Sequence, residues 1–498
     1  MSIEALSAPA RPLGQFVDHA DIGAPALPGN ATYNAASQEY VLTASGVNMW
    51  SNTDQFHFAW RKLQGDFILQ ARVEFIGTGE PHRKAGWIVR KSLDADSPYV
   101  DVVAHANGDG RLQHRHDTAG LTVQSDPLAT ETDVVQLERR GNVYIVSTAK
   151  YGDPFLQTQI ETADLGNDVY VGLFLCSHNG ASMAKAVFRD VRIVRTAKPD
   201  FVPYHDYIGS QLELLDIANG HRQIIYSSAD PFEAPNWTAD GQALQFNSSG
   251  ADPDKRGRLY RFDLATRQPV LIDTGFAHRL NNDHVLSFDS SMVGISDQTT
   301  DKNESTIFTL PATGGIPKRI TPLTPSYLHS WSPDGKYLLY TGGRKGPADI
   351  QWDIYRMPSD GSGTEVQLTK NSGLNDGPEY SRDGKYIYFN STRSGKMQIW
   401  RMKADGSEQT QLTNDEYNNW FPHVSPDGKW LCIISYVDDI APKEHPYYKH
   451  VYLRLMPITG GAPKVIAYVY GGQGTINVPS WSPDGSMLAF VSNTDMKW

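Results

Sequence analysis

Short runs in which apolar and polar residues alternate dominate the first half of the chain. Residues 67–75, Phe-Ile-Leu-Gln-Ala-Arg-Val-Glu-Phe, are an example. A period of two predicts a β-strand with one face buried and the other in water. Similar runs occupy residues 39–44 and 143–147. About a dozen such runs between residues 33 and 195 predict a β-sandwich of two sheets.

The second half repeats one phrase. Residues 331–340, Trp-Ser-Pro-Asp-Gly-Lys-Tyr-Leu-Leu-Tyr, predict a strand, a tight turn and a second strand, since Pro presets one turn angle and Asp-Gly suits a short hairpin. Further copies begin at Ser381, Ser425 and Trp481, and weaker ones at Trp237 and Ser287. A spacing of about 45 to 55 residues predicts four-stranded propeller blades.

The two ends of this repeat complement each other. Residues 210–216 and 222–227 resemble the third and fourth strands of a blade, and residues 481–492 supply a first and second strand. We therefore expect the ends to share one blade and close a ring of six. The other five blades are expected to start near Trp237, Ser287, Trp331, Tyr380 and Val424.

The boundary between the halves is expected where two prolines interrupt the strand pattern, within residues 196–203. The predicted fold class is all-β. A jelly-roll sandwich spans residues 12–197, and a six-bladed propeller, closed by pairing of its N- and C-terminal strands, spans residues 204–498.

Features of the first half resemble the concanavalin-like, laminin-G-like sandwiches found beside carbohydrate-active domains. They are residues 48–52 (Asn-Met-Trp-Ser-Asn), residues 85–90 (Ala-Gly-Trp-Ile-Val-Arg) and residues 188–193 (Phe-Arg-Asp-Val-Arg-Ile). The resemblance implies a domain that binds carbohydrate or packs on the propeller.

The second half resembles the TolB-type, WD40-like propeller repeat from about residue 205 to residue 498. The motifs are Ser-Pro-Asp-Gly-Lys at 332–336, Asp-Ile-Tyr-Arg-Met at 353–357 and Gln-Leu-Thr at 411–413. That family includes both binding proteins and enzymes, so the resemblance implies the fold and leaves the function open.

Charge and cysteine content narrow the function classes. The net charge is -11 and no basic block stands out, which disfavours nucleic-acid binding. The two cysteines, Cys176 and Cys432, lie far apart in apolar runs and are expected to be core thiols without a disulfide framework.

No run of about 18 apolar residues is present, so no membrane span is expected. Residues 1–29 lack the features of a signal peptide, which favours the cytoplasm as the sequence is written, or the periplasm if the N-terminus is incomplete.

Residues just before each repeated phrase are expected to converge at one mouth of the propeller channel. They are polar and include an aromatic ring, a combination that suits a polyhydroxylated ligand. The predicted substrate-binding residues of this set are Asn282, Asp283, Asn419, Trp420, Gln473 and Asn477.

Titratable residues in the same positions allow three interpretations. His329, Asp376, Glu379 and His423 are candidates for general acid–base catalysis. Alternatively, His284, His329 and His423 could ligate a divalent ion such as Ca, Mn or Zn. That arrangement is similar in kind to the channel metal of the oligogalacturonate lyases. The third interpretation is that these side chains only bond neighbouring blades.

Two further features lie outside the inner strands. Arg344 is a candidate contact for an anionic sugar, because a guanidinium matches a carboxylate. The longest insertion, residues 436–450, is expected to form a lid, with His445, Tyr447 and Tyr448 as contacts.

The leading hypothesis is therefore a carbohydrate-active or carbohydrate-binding protein with a site at the propeller channel. If it is an enzyme, a lyase or glycoside hydrolase acting on oligosaccharides or uronic-acid derivatives is expected. The alternative is a non-catalytic TolB-like module whose propeller docks other proteins.

Overall fold

The structure, a computed structural model, describes residues 13–161, 164–203, 205–252, 254–300, 303–346, 349–370 and 372–497. The described residues form β-strands and no α-helix, which confirms the all-β prediction. Accordingly, no described helix is long and apolar enough to cross a membrane. The chain divides into two compact units, one ending at Lys198 and the other beginning at Pro199.

The first unit contains two seven-stranded antiparallel sheets and a short two-stranded ribbon. In spatial order the first sheet is β1 (Asp18–Ile22), β6 (Phe56–Leu63), β15 (Val169–Cys176), β8 (Lys84–Arg90), β9 (Tyr99–His105), β10 (Gly110–Arg115) and β11 (Val123–Gln124). The second is β14 (Leu156–Ile160), β13 (Val143–Ala149), β12 (Val134–Arg140), β7 (Phe67–Ile76), β16 (Asn179–Arg195), β3 (Glu39–Gly46) and β2 (Asn30–Asn34). The ribbon is β4 (Met49–Trp50) with β5 (Thr53–Asp54).

The main core of this unit contains side chains from both sheets. Trp87 and Val89 on β8 belong to the same buried cluster as Leu69 on β7 and Val135 on β12. Full burial of a large apolar side chain stabilises a fold by about 1.5–3 kcal/mol. Because strand side chains alternate, Ile88 lies on the opposite face of its sheet, in a second apolar cluster.

The prediction that β7 has one wet face is wrong for residues 67–71, which are all buried. The polar member of this stretch, Gln70, is accommodated because its Nε2 donates to Oε1 of Gln136 on the neighbouring strand β12 at 3.2 Å. Burying an amide that keeps a hydrogen-bond partner lowers the stability of the fold only slightly.

The second unit is a six-bladed propeller, as predicted. Five blades are four-stranded antiparallel sheets whose strands follow the chain order. They are β19 (Phe232–Trp237), β20 (Ala243–Ser248), β21 (Leu259–Asp263), β22 (Gln268–Leu271); β23 (Leu280–Leu286), β24 (Met292–Asp297), β25 (Thr306–Pro311), β26 (Lys318–Arg319); β27 (Ser326–Trp331), β28 (Tyr337–Lys345), β29 (Ile350–Pro358), β30 (Val366–Gln367); β31 (Asn375–Tyr380), β32 (Tyr386–Ser391), β33 (Gln398–Lys403), β34 (Thr410–Gln411); and β35 (Asn418–Val424), β36 (Trp430–Tyr436), β37 (Lys449–Pro457), β38 (Lys464–Gly471).

The sixth blade combines strands from both ends of the unit. Strand β39 (Met487–Thr494) pairs with β17 (Gly209–Asp216), which pairs with β18 (Arg222–Ser228). A single bridge between Trp481 and Leu488 marks the position of the innermost strand.

The repeated phrase forms the turn between the first and second strands of a blade. In the third blade Ser332 Oγ donates to Asp334 Oδ1 at 2.7 Å, and Oγ also accepts from the backbone N–H of Tyr337 at 2.9 Å. Gly335 has a φ of 71°, a conformation that glycine adopts without strain. The phrase is therefore scaffold, since each copy makes the turn that its blade needs.

Each inner strand of the five continuous blades is interrupted by a shift of register. The shifts lie between residues 233 and 236, 280 and 284, 328 and 330, 376 and 379, and 420 and 423. Such bulges change the direction in which the following side chains point. Side chains at the start of each inner strand consequently point in a different direction from those at its end.

Candidate functional site

A cavity of about 480 Å³ opens where the inner strands of the propeller begin. A volume of this size is typical of a ligand site. Its lining includes side chains of β19, β23, β27, β31 and β35 together with the insertion at residues 443–447 and the loop at residues 473–477. We call it the mouth cavity.

The structure brings only part of the predicted site together in the mouth cavity. The predicted residues that line it are Asn282, Asp283, His329, Asp376, Trp420, Gln473 and Asn477. The lining does not include the other predicted residues, His284, Arg344, Glu379, Asn419 and His423.

The expectation that all these residues share one mouth is wrong because of the bulges. Asp376 and Glu379 lie on either side of the register shift in β31, and Trp420 and His423 on either side of the shift in β35. Glu379 lines a different, smaller cavity of about 130 Å³. His329 and Asp376 consequently belong to one group, at the mouth cavity, and Glu379 and His423 belong to another.

Glu379 and His423 form a buried pair between two inner strands. His423 Nδ1 lies 2.6 Å from Glu379 Oε2, and Glu379 Oε1 accepts from the backbone N–H of Val424 at 2.9 Å. His423 Nε2 donates to the carbonyl oxygen of Ile476 in the sixth blade. Both imidazole nitrogens are therefore engaged within the protein, and the pair holds three blades together.

Asn419 and Arg344 also have internal partners. Asn419 Oδ1 accepts from Arg454 Nη2 at 2.7 Å and from Ser435 Oγ at 2.8 Å. Arg344 forms two charge-assisted hydrogen bonds with Glu365, at 2.8 and 2.7 Å. The arrangement corrects both assignments, since these groups already use their polar atoms in structural contacts.

The predicted metal-binding trio does not converge. His284 is 0% exposed, and its Nε2 lies 3.4 Å from the carbonyl oxygen of Gln245. Burial lowers the pKa of His284 to about 4. His329 and His423 pair instead with different carboxylates. Across the described ranges, no group of three or more His, Cys, Asp or Glu side chains is placed to hold a metal ion.

His329 and Asp376 form the ion pair of the mouth cavity. His329 Nε2 lies 3.0 Å from Asp376 Oδ1, which also accepts from Thr341 Oγ1 at 2.7 Å. Burial alone would raise the pKa of Asp376, but the hydrogen bond and charge of His329 lower it to about 2. Burial alone would lower the pKa of His329, but Asp376 and the neighbouring carboxylates raise it. Each partner thus favours the charged form of the other.

Glu233 and Asp283 are the other two buried carboxyls of the cavity. Asn282 Nδ2 donates to Glu233 Oε2 at 2.8 Å, and Asn281 Nδ2 donates to Asp283 Oδ2 at 2.9 Å. Burial raises the pKa of Glu233 to about 6 and that of Asp283 to about 7. Neither carboxyl has an ion-pair partner among the described residues.

Trp420, a predicted substrate-binding residue, is covered by another ring of the protein. It is 1% exposed, and the imidazole of His445 lies over it with the ring centroids 4.4 Å apart. His445 and Tyr447 come from the insertion at residues 436–450 and line the cavity, where the lid hypothesis places them. Tyr448 instead accepts a hydrogen bond from the backbone N–H of Ile208 at 3.2 Å.

Several cavity residues were missing from the predicted site. Glu233 and Tyr327 occupy inner strands, so their position before the repeated phrase could have identified them. Trp352 lies on a third strand, and Arg256 lies in a loop between a second and a third strand. No sequence signal marks these two, because only the folded blades bring them to the mouth.

Comparisons with known proteins agree with this architecture. The family model described as the TolB beta propeller domain matches residues 330–444. An uncharacterised protein from Agrobacterium fabrum is 44% identical over 283 residues, which cover 57% of this chain and 92% of that protein.

Similar folds are found among solved structures. A structure of a TolB-like protein from Agrobacterium tumefaciens is 43% identical, covers 58% of this chain and all of that chain, and has a TM-score of 0.54. An oligogalacturonate lyase in complex with manganese is 12% identical, covers 61% of this chain and 99% of that chain, and has a TM-score of 0.34. The second likeness is too small to carry an argument about activity.

Proposed function

Because this chain belongs to the TolB-like β-propeller family, we propose that it is a non-catalytic interaction module. Its mouth cavity holds a short segment of a partner protein. The observation that carries the proposal is the cavity itself, about 480 Å³ in volume and lined by residues of several blades. A concave site of this kind buries a few side chains of a partner and excludes water from them.

The state of the pair formed by Glu379 and His423 favours a structural role for that pair over a catalytic one. His423 engages both ring nitrogens within the protein. A general base needs an accessible nitrogen or oxygen at the reacting atom. Glu379 and His423 instead stabilise the blades through their hydrogen bonds.

Selection from a library of random peptides displayed on phage tests the proposal. The full chain is expected to enrich peptides that share a motif. A Gln298→Trp variant, which adds bulk in the cavity lining, is expected to weaken their binding by at least about tenfold, because the segment no longer fits. Binding is measured by titration calorimetry.

Gln268→Trp is the matched control. Gln268 is exposed on the outer strand β22 and does not line the cavity, so the same change of residue type should leave peptide binding unaltered. If no peptide is enriched, or if Gln298→Trp binds the selected peptides as tightly as the wild type, the proposal is wrong.

A carbohydrate ligand is the second candidate, and the aromatic wall of the cavity favours it. The rings of Tyr327 and Trp352 lie 6.0 Å apart, and both residues line the cavity beside the carboxamides of Asn281 and Asn282. Aromatic faces and amides suit sugars. His329 and Asp376 would then serve a lyase or hydrolase acting on oligosaccharides. Binding to a glycan array without enrichment of peptides would favour this candidate.

For the N-terminal unit, the concanavalin-like assignment is also part of our proposal. Its two seven-stranded antiparallel sheets around one apolar core support that assignment. The same glycan array, applied to the full chain and to the Gln298→Trp variant, separates sugar binding by this unit from sugar binding at the mouth cavity.

A further inference from the structure

The mouth cavity contains two buried carboxyls that form no salt bridge with a described residue. Glu233 is 5% and Asp283 6% exposed, and the hydrogen bonds given to them come from neutral groups, including Asn282, Asn281 and Tyr447. His329 also acts electrostatically on Asp283, but its Nε2 makes its close contact with Asp376 Oδ1, at 3.0 Å. Burying a carboxylate without a counter-ion is costly, so the cavity favours a ligand that brings a positive charge.

An unpaired acceptor beside these carboxyls points to the same type of ligand. Asn247 lines the cavity, is 2% exposed, and lies opposite Glu233 in the pairing of β19 with β20. Its Oδ1 receives no hydrogen bond from any described residue. Buried acceptors without donors are uncommon in folded proteins, and an N–H group of a ligand in the cavity would satisfy this one.

The aromatic wall and the rim narrow the choice of cation. Tyr327 and Trp352 line the cavity and offer ring faces on which an ammonium group can rest. The lining also includes Arg256 and Lys443, both exposed, and Arg279. Positive charges at the rim repel a polycation but suit a ligand whose amine enters first and whose remaining chain is neutral or acidic.

We infer that the mouth cavity recognises a protonated amine, with Asp283 as its principal acceptor and Glu233 and Asn247 beside it. The inference rests on the proposed function, since the amine belongs to the bound peptide segment. It is either the amino terminus of that segment or the side chain of a lysine. The amine donates to the carboxyl oxygens, and the peptide chain leads outward past the basic rim.

Calorimetric titration of the full chain with small synthetic peptides tests the inference. The probes are trialanine amide with a free amino terminus, its N-acetylated form, and N-acetyl-Ala-Lys-Ala amide. At least one of the two amine-bearing probes is expected to bind at least about tenfold more tightly than N-acetyl-trialanine amide, the change expected for a charge-assisted hydrogen bond. The stronger of the two identifies the source of the amine.

Charge-removing variants supply the second measurement. Asp283→Asn is expected to remove the preference for the amine-bearing peptide. Glu416→Gln, which removes a carboxylate from an exposed position outside the cavity, should leave that preference unchanged. Equal binding of the acetylated and amine-bearing probes, or no detectable binding of either amine, overturns the inference.

The proposed peptide-binding function and the inferred amine site can be contradicted independently of each other. If displayed peptides bind but their acetylation has no effect, the amine inference is wrong and the interaction module stands. If n-butylamine binds in an Asp283-dependent way and no peptide is enriched, the amine site stands and the peptide-binding function is wrong.

Discussion

Asp283 carries a buried carboxyl whose ionisation opposes folding. Burial raises its pKa from the usual 3.8 to about 7, so the folded chain retains a proton that the unfolded chain has lost between these pH values. The folded state therefore binds more protons, and this residue's contribution to the free energy of unfolding falls as the pH rises through that window. Asparagine at this position has a similar shape and no charge, so the Asp283→Asn variant lacks this pH-dependent contribution.

We expect the stability advantage of Asp283→Asn over the wild type to widen by at least about 1 kcal/mol between about pH 5 and about pH 8. Urea unfolding monitored by tryptophan fluorescence measures this difference. Glu416→Gln is the matched control, and its difference from the wild type should not change with pH in this way. A constant difference for Asp283→Asn would show that the carboxyl is not electrostatically penalised in the folded chain.

At the scale of single residues, position in the repeat identified part of the cavity lining. Asn282, Asp283, His329 and Asp376 precede their copies of the phrase and do line it. The roles of individual side chains were harder to predict. Trp420 was expected to bind substrate, but the ring of His445 covers it. A contact between an inner strand and a distant insertion cannot be predicted from the sequence of either segment alone.

At the scale of strands, the pair formed by Glu379 and His423 connects β31, β35 and the carbonyl of Ile476. Removing one member of a buried pair leaves the other charge without compensation, which costs about 3–5 kcal/mol. His423→Ala is therefore expected to lower the free energy of unfolding by about 3 kcal/mol. Because the pair does not line the mouth cavity, peptide affinity measured well below the unfolding temperature should remain within about twofold of the wild type.

Chemical denaturation and calorimetric titration on the same preparation measure both quantities. His278→Ala is the matched control, because His278 is exposed and the same substitution there should change neither. A His423→Ala variant that keeps its stability but loses ligand affinity would place His423 in the functional site and contradict the structural role assigned to it.

The elements differ in how well sequence predicts them. The Ser-Pro-Asp-Gly turn was predictable because its hydrogen bonds, such as that from Ser332 to Asp334, join residues two positions apart. The bulges of the inner strands were not, since a register shift is fixed by the pairing of two strands. That shift is why Asp376 and Glu379, three residues apart, belong to different cavities.

At the scale of the whole molecule, the copies of the repeat and its complementary ends predicted the number of blades. The family comparison supports the fold. Nearly all of the Agrobacterium fabrum relative matches 57% of this chain, so the chain contains a large part beyond the match. Function was less predictable than fold, because the mouth cavity is assembled from residues that range from Tyr207 to Asn477.

The most direct measurement is a crystal structure of the full chain bound to a peptide enriched by the displayed library. Our account predicts that the peptide occupies the mouth cavity, with an amine about 3 Å from a carboxyl oxygen of Asp283. A peptide bound along the outer strands of the blades or on the N-terminal unit, with the mouth cavity empty, would contradict the central claim.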